Sequence, residues 1–149
     1  MKNKLKASIS EARSIAETHR HAVNLASVLS KKCHLILLVG ELGAGKSEWA
    51  RGFIKSLIGN AAPVTSPTYS FINIYEKKSI RIFHVDLYRL VSAEDLESLG
   101  FWDLLAGTNL VLVEWGDMLP RDWPKNISVT RVLIEKQKAQ LRKISVSLL

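Results

Sequence analysis

The sequence has a single cysteine, Cys33, in 149 residues. An internal disulfide is therefore excluded, and no Cys/His group has zinc-ligand spacing. One unpaired thiol in a chain of ordinary composition fits a reducing compartment. Long apolar runs are also missing. The longest, Leu35-Ile36-Leu37-Leu38-Val39, falls far short of the roughly 20 residues that a membrane-spanning helix needs. No apolar run precedes residue 33, so no secretory leader is visible and a cytoplasmic protein is expected. Repeats and low-complexity tracts are absent, as are an arginine-rich block and an aromatic RNA-binding signature. An Asn/Thr-Lys-x-Asp guanine-reading motif is missing, which argues against an ordinary GTPase. No arginine-rich lid segment follows the central strands, which argues mildly against a small-molecule kinase.

What is present fits one globular domain spanning residues 1–149. A chain of this length buries roughly two-thirds of its unfolded surface without staples. The net charge of +7 hints at an anionic partner. The lysines are scattered, however, and solvated faces and strand edges use lysine too.

Periodicity orders the elements. Ser10 to Ser30 reads as a helix with Ile15, Ala22, Leu25, Ala26 and Leu29 on its apolar stripe. Ser8 or Ser10 caps it, and Lys31-Lys32 favour its carboxyl end. His34 to Val39 reads as a buried parallel strand. Lys46 to Ile58 reads as an amphipathic helix stopped by Gly59-Asn60. Tyr69 to Glu76 and Ile80 to Leu87 read as a hairpin around Lys77-Lys78-Ser79. On the second strand, Ile80, Ile82, His84 and Asp86 share one face. Ser92-Ala93-Glu94-Asp95 opens one or two short helices running to Leu105. Asn109 to Val113 is a further buried strand, with weaker candidates at Ile127 to Ile134 and Ile144 to Leu149. The expected fold is α/β: a single P-loop NTPase-like domain with a mixed parallel and antiparallel sheet flanked by helices.

Between the first strand and its helix lies Gly40-Glu41-Leu42-Gly43-Ala44-Gly45-Lys46-Ser47, a full match to the phosphate-binding P-loop pattern in the right strand–helix context. Gly43 and Gly45 let the backbone turn its N–H groups toward phosphate oxygens. The helix after them points its positive end at the same place. Lys46 supplies a cation for the β- and γ-phosphates, and Ser47 a hydroxyl for Mg²⁺. ATP and Mg²⁺ are thus the expected ligands. A second acid is needed for the metal shell. Glu114 follows Leu110-Val111-Leu112-Val113, and Asp86 lies in His84-Val85-Asp86-Leu87-Tyr88-Arg89. Both stand at strand ends, where parallel sheets put ligands. Spacing does not rank them, and Arg89 makes a plain salt bridge an alternative for Asp86. His84 reads equally as a proton carrier or as a packed, hydrogen-bonded core residue.

These segments together resemble one family. Besides the P-loop, the chain has Arg51-Gly52, Ser66-Pro67-Thr68-Tyr69, His84-Val85-Asp86-Leu87-Tyr88-Arg89-Leu90, Glu94-Asp95-Leu96-Glu97 before Gly100, and Leu112-Val113-Glu114-Trp115. In this order they resemble the TsaE (YjeE) family of bacterial ATPases in tRNA threonylcarbamoyladenosine synthesis, over about residues 10 to 120. The resemblance implies Mg²⁺ ligation by Ser47 and Glu114, and a catalytic group of Lys46, Glu114 and Asp86, with Asp86 needed for hydrolysis. It implies nucleotide contacts from Glu41, Leu42, Gly43, Ala44, Gly45, Lys46, Ser47 and Glu48, from Ser14 and Thr18 near the amino end, and from Thr68 in a nucleotide-responsive segment. Arg142 or Lys143 would reach the nucleotide from the poorly matching end. The implied partners are the TsaB and TsaD proteins, with tRNA engaged indirectly and isolated activity weak. The chain departs from the family in having Ser47 for the usual threonine and Glu41 for the usual aspartate. A small-molecule kinase and a non-catalytic nucleotide-gated module are the alternatives.

Overall fold

The computed structural model describes residues 5–29, 32–90 and 92–149. The chain runs β1 (Ser8–Ala12), α1 (Ile15–Val28), β2 (His34–Val39), α2 (Lys46–Ile58), β3 (Ile72–Lys77), β4 (Ile80–Asp86), α3 (Ala93–Leu99), β5 (Leu110–Glu114), β6 (Ser128–Lys138) and β7 (Leu141–Leu148). Short 3-10 turns stand at Phe101–Leu104 and Gly116–Met118. The strands form one sheet in the order β1-β7-β6-β2-β5-β4-β3.

Every residue of β2 is buried, as its unbroken apolar run requires. It pairs in parallel with β5 on one side and β6 on the other, and β4 pairs in parallel with β5. Antiparallel pairs complete both edges: β3 with β4, and β6 with β7 and β7 with β1. The mixed α/β sheet expected from the sequence is what forms. Alternation then splits the core in two. Ile36, Leu38, Ile82, Leu110 and Leu112 face α1 and α2 with Trp49 and Phe53. Leu35, Leu37, Phe83, Val85, Val111 and Val113 face the other way, onto Leu96 and Phe101. Cys33 is buried there as a free thiol, and desolvation raises its pKa. No helix among the described residues is long and apolar enough to cross a membrane.

Several boundaries differ from the sequence reading. The helix expected from Ser10 does not start there: Ser10 to Ala12 belong to the strand β1, paired with β7. Ser14, not Ser8 or Ser10, caps α1, its side chain accepting from the Glu17 N–H at 3.1 Å. Ile15 leaves the apolar stripe and is 61% exposed. The expected helix end at Ser30 and Lys31 lies outside the described residues. β3 starts at Ile72 rather than Tyr69, because Phe71 turns the chain with φ of 64° and its N–H donates to Pro67 O at 2.7 Å. β6 and β7 are longer than expected and form a hairpin. The capping box at Ser92 and Asp95 is as read.

α1 packs on α2 at close range. A Cβ on Gly52 would come within 2.8 Å of His19 Cα, so only glycine allows that approach. Trp49, fully buried, stacks on Phe53 and donates from Nε1 to His21 Nδ1 at 2.9 Å.

Candidate functional site

Three neighbouring parallel strands end at one edge of the sheet, and each delivers part of a site. β2 runs into the glycine-rich loop, β4 ends at Asp86 and β5 ends at Glu114. Gly43 and Gly45 take positive φ, 78° and 113°. Gly45 is the N-cap of α2 and provides no side-chain acceptor. By contrast Ser14 caps α1 and Ser92 caps α3. The amino end of α2 therefore keeps its partial positive charge open to an anion.

Lys46 is 5% exposed. Its ammonium donates to the loop's own carbonyls, Gly40 O at 2.6 Å and Glu41 O at 2.8 Å. It also lies 3.8 Å from the centroid of the Trp115 ring, a cation–π contact. Burial pushes its pKa down, against the pull of Glu114, Asp117, Asp86 and Glu41. Trp115 reaches this position through a left-handed backbone, φ 60°, and its ring also lies 5.0 Å from that of Tyr88.

The two acids that spacing did not rank have different environments. Glu114 Oε2 accepts from Ser47 Oγ at 2.8 Å, while Oε1 meets His84 Nε2 at 2.8 Å. Asp86 stands opposite Glu114 in the β4–β5 register. Its Oδ2 accepts from Thr68 Oγ1 at 3.0 Å and its Oδ1 from the Tyr88 N–H at 2.9 Å. No ion pair with Arg89 forms among the described residues; that guanidinium lies over the Tyr69 ring, 5.4 Å from its centroid. Glu114, not Asp86, is thus the acid beside the Ser47 hydroxyl. Neighbouring vertices of a Mg²⁺ octahedron with bonds of about 2.0–2.1 Å lie about 2.9 Å apart. The Ser47 and Glu114 oxygens have that spacing. Among the described residues no three His, Cys, Asp or Glu side chains group to hold a metal. Mg²⁺ needs no such group, since it takes one or two protein ligands plus phosphate and water.

Beside the loop opens a cavity of about 550 Å³, within the range that holds small organic ligands. The expected Ser14, Thr18, Gly43, Ala44, Gly45 and Glu48 all line it. Ser14 is held there by its capping role and Thr18 is buried. Glu48 bridges His19 Nε2, at 2.9 Å, and Arg51. Burial raises its pKa, but the hydrogen bonds and positive charge of those two partners together outweigh burial and leave it lowered. Glu41 and Leu42 stand outside the cavity wall on the exposed rim of the loop, Leu42 at 75% exposure. Arg142 lines the cavity and donates from Nε to Ala44 O at 2.8 Å. Lys143 instead points to the other face and pairs with Glu135 at 3.7 Å. Gln140 also lines the cavity, with no motif in the sequence to announce it. The hydrogen bond from His84 to Glu114 was equally hidden, although the shared face of His84 and Asp86 was legible.

Comparison with known proteins identifies the family and the fold. The family model described as "Threonylcarbamoyl adenosine biosynthesis protein TsaE" matches residues 12–144. A Rickettsia felis protein of that name is 41% identical over 103 residues, 69% of this chain and 59% of its own. One from Rickettsia bellii is 36% identical, covering 82% of this chain and 84% of its own. One from Bacillus subtilis is 30% identical, covering 73% and 67%. The match thus spans less than two-thirds of the Rickettsia felis relative's length. The crystal structure of Bacillus subtilis YdiB superposes with a TM-score of 0.72 over 96% of this chain and 86% of that one, at 21% identity, which is a likeness of fold.

Proposed function

This chain belongs to the TsaE family, and on that premise we propose that it is a Mg²⁺-dependent ATPase serving threonylcarbamoyladenosine formation in tRNA together with the TsaB and TsaD proteins. The observation that carries the reading is the convergence of Lys46, Ser47, Glu114 and Asp86 at the ends of three adjacent parallel strands, under an uncapped helix amino end. Phosphoryl transfer asks for this set: a backbone cradle, a lysine, a metal shell and an acid for the nucleophile.

In this reading the nucleoside occupies the cavity by Ser14, Thr18 and Arg142, and the phosphates lie on the loop. Lys46 leaves the Gly40 and Glu41 carbonyls for the β- and γ-phosphates, exchanging neutral acceptors for charged ones. Ser47 and Glu114 would hold Mg²⁺, which would supply charge neutralisation during phosphoryl transfer. Asp86 orients the water that attacks the γ-phosphorus. Its hydrogen bond from Thr68 ties that acid to the segment Ser66–Tyr69, whose Tyr69 is 85% exposed. Loss of the γ-phosphate is thereby relayed to a surface that TsaB and TsaD can read, and the chain acts on their complex rather than making the threonylcarbamoyl bond itself.

Phosphate release from ATP tests the reading, measured with wild type, Lys46→Ala and Asp86→Ala, with and without TsaB and TsaD. Slow release alone, faster release with the partners and loss in both variants are expected. ATP consumption that needs an added phosphate acceptor and ignores the partners would establish a small-molecule kinase instead.

A further inference from the structure

His84 is 1% exposed and no part of the P-loop machinery described so far requires it. Its place is set by β4. Successive side chains alternate, so His84 stands on the same face as Asp86, one step deeper in the sheet. There its Nε2 meets Oε1 of Glu114, 30 residues away, at 2.8 Å. The other Glu114 oxygen is the one that faces Ser47. We propose that His84 is a positioning residue for the metal-side carboxylate, its Nε2–H fixing which oxygen of Glu114 faces Ser47; this rests on the P-loop reading above.

The hydrogen-bond inventory assigns the tautomer. A carboxylate only accepts, so Nε2 carries the hydrogen. The opposite ring atom, Nδ1, is buried with no partner among the described residues. A hydrogen on Nδ1 would be an unpaired buried donor, so the ring's hydrogen is placed on Nε2, where Glu114 accepts it, and Nδ1 keeps only a bare lone pair. The bond has a mechanical consequence. The terminal torsion of a glutamate is broad and nearly two-fold. With Oε1 tied, Glu114 presents Oε2 to Ser47 and stays in that orientation when the hydroxyl turns away from it. With Oε1 free, the carboxylate rotates, and a buried oxygen loses its donor. Partners of this kind behind a ligating carboxylate typically carry about 10–100-fold of metal affinity.

The full-length chain tests this by calorimetric titration of ADP without metal, and then at increasing Mg²⁺. The readout is the Mg²⁺ concentration that gives half of the metal-dependent tightening. Three variants separate positioning from packing. His84→Gln carries an amide to the site of Nε2, His84→Asn only to that of Nδ1, and His84→Leu has no donor. The expected result is an increase of about 10–100-fold in the required Mg²⁺ for His84→Asn and His84→Leu. His84→Gln stays near wild type, and metal-free ADP affinity is unchanged in all three, which also reports that each folds. Wild-type Mg²⁺ dependence in His84→Asn and His84→Leu overturns the inference, as does a His84→Gln variant no better than His84→Leu. A wild-type chain that binds no ADP overturns the nucleotide-site reading itself, and this inference with it.

Discussion

Replacing Lys46 with methionine separates what the lysine does for the empty loop from what it does for a nucleotide. Methionine keeps the length and apolar stem of the side chain and removes the charge. In the free protein two sets of terms oppose each other. The variant loses the hydrogen bonds to Gly40 O and Glu41 O and the contact with Trp115. It also sheds the desolvation of a cation that is 5% exposed, and that desolvation is the largest influence on the Lys46 pKa, which is lowered. A lowered lysine pKa means that the fold disfavours the charged form relative to the unfolded chain. The losses and the relief therefore largely offset. The expected net change is about 1 kcal/mol, or roughly 2–4 °C in Tm for a chain of this size. With nucleotide bound nothing offsets the loss. A hydrogen bond to a charged group contributes about 1.5–3 kcal/mol, so ADP or ATP affinity should fall by about 10- to 150-fold. Scanning calorimetry gives the first quantity and titration calorimetry the second. Unchanged nucleotide affinity would refute the assignment of Lys46 to the phosphates. A collapse of Tm with affinity intact would make it a structural cation of the loop.

The other predictions rest on separate contacts. Asp86→Asn keeps an acceptor for the Tyr88 N–H, so ATP binding should persist while phosphate release falls by about 10²–10⁴-fold, the usual weight of a positioned acid or base. Burial lowers the His21 pKa below its ordinary value of 6.5, and its Nδ1 accepts from Trp49. The unfolded chain takes up that proton first, so the stabilisation is complete above pH 6.5 and is lost as pH falls toward the folded-state pKa. Between pH 7 and 5 the wild-type Tm should drop more than that of His21→Gln, and parallel curves would refute the assignment. Gly52→Ala drives a Cβ to within 2.8 Å of His19 Cα and should cost about 1–3 kcal/mol as overpacking, read as a lower urea midpoint.

The parts that the sequence made legible are those governed by local chemistry. The run Leu35–Val39 and the glycines after it specify a buried strand and a glycine-rich turn with little help from elsewhere. The amino end was misread because β1 takes its hydrogen bonds from β7, at the far end of the chain. Its burial shows no strict alternation, and a serine at position 10 resembles a cap as well as the one at position 14 does. The start of β3 was hidden by the positive φ of Phe71, which no local propensity announces for a phenylalanine. β6 was read short because its last residues, Lys136 to Lys138, are exposed and polar, held by pairing with β7 rather than by a core. At the site, spacing gave two acids without a ranking. Only the fold shows that Ser47 meets Glu114 while Thr68 meets Asp86. The bond from His84 is invisible for the same reason, since it joins two strands 30 residues apart.

If ATP hydrolysis at this site drives a tRNA-modifying partner complex, as proposed, that complex turns over repeatedly only with the active chain. Reconstituted threonylcarbamoyladenosine formation tests it most directly, using TsaB, TsaD, tRNA and a source of the threonylcarbamoyl group. The assay follows modification beyond one product per TsaD with wild-type chain, with Asp86→Ala and with no chain. Repeated turnover is expected only with the wild-type chain, and a halt near a single turnover in the other two. Sustained turnover without the chain, or with Asp86→Ala at the wild-type rate, would contradict it.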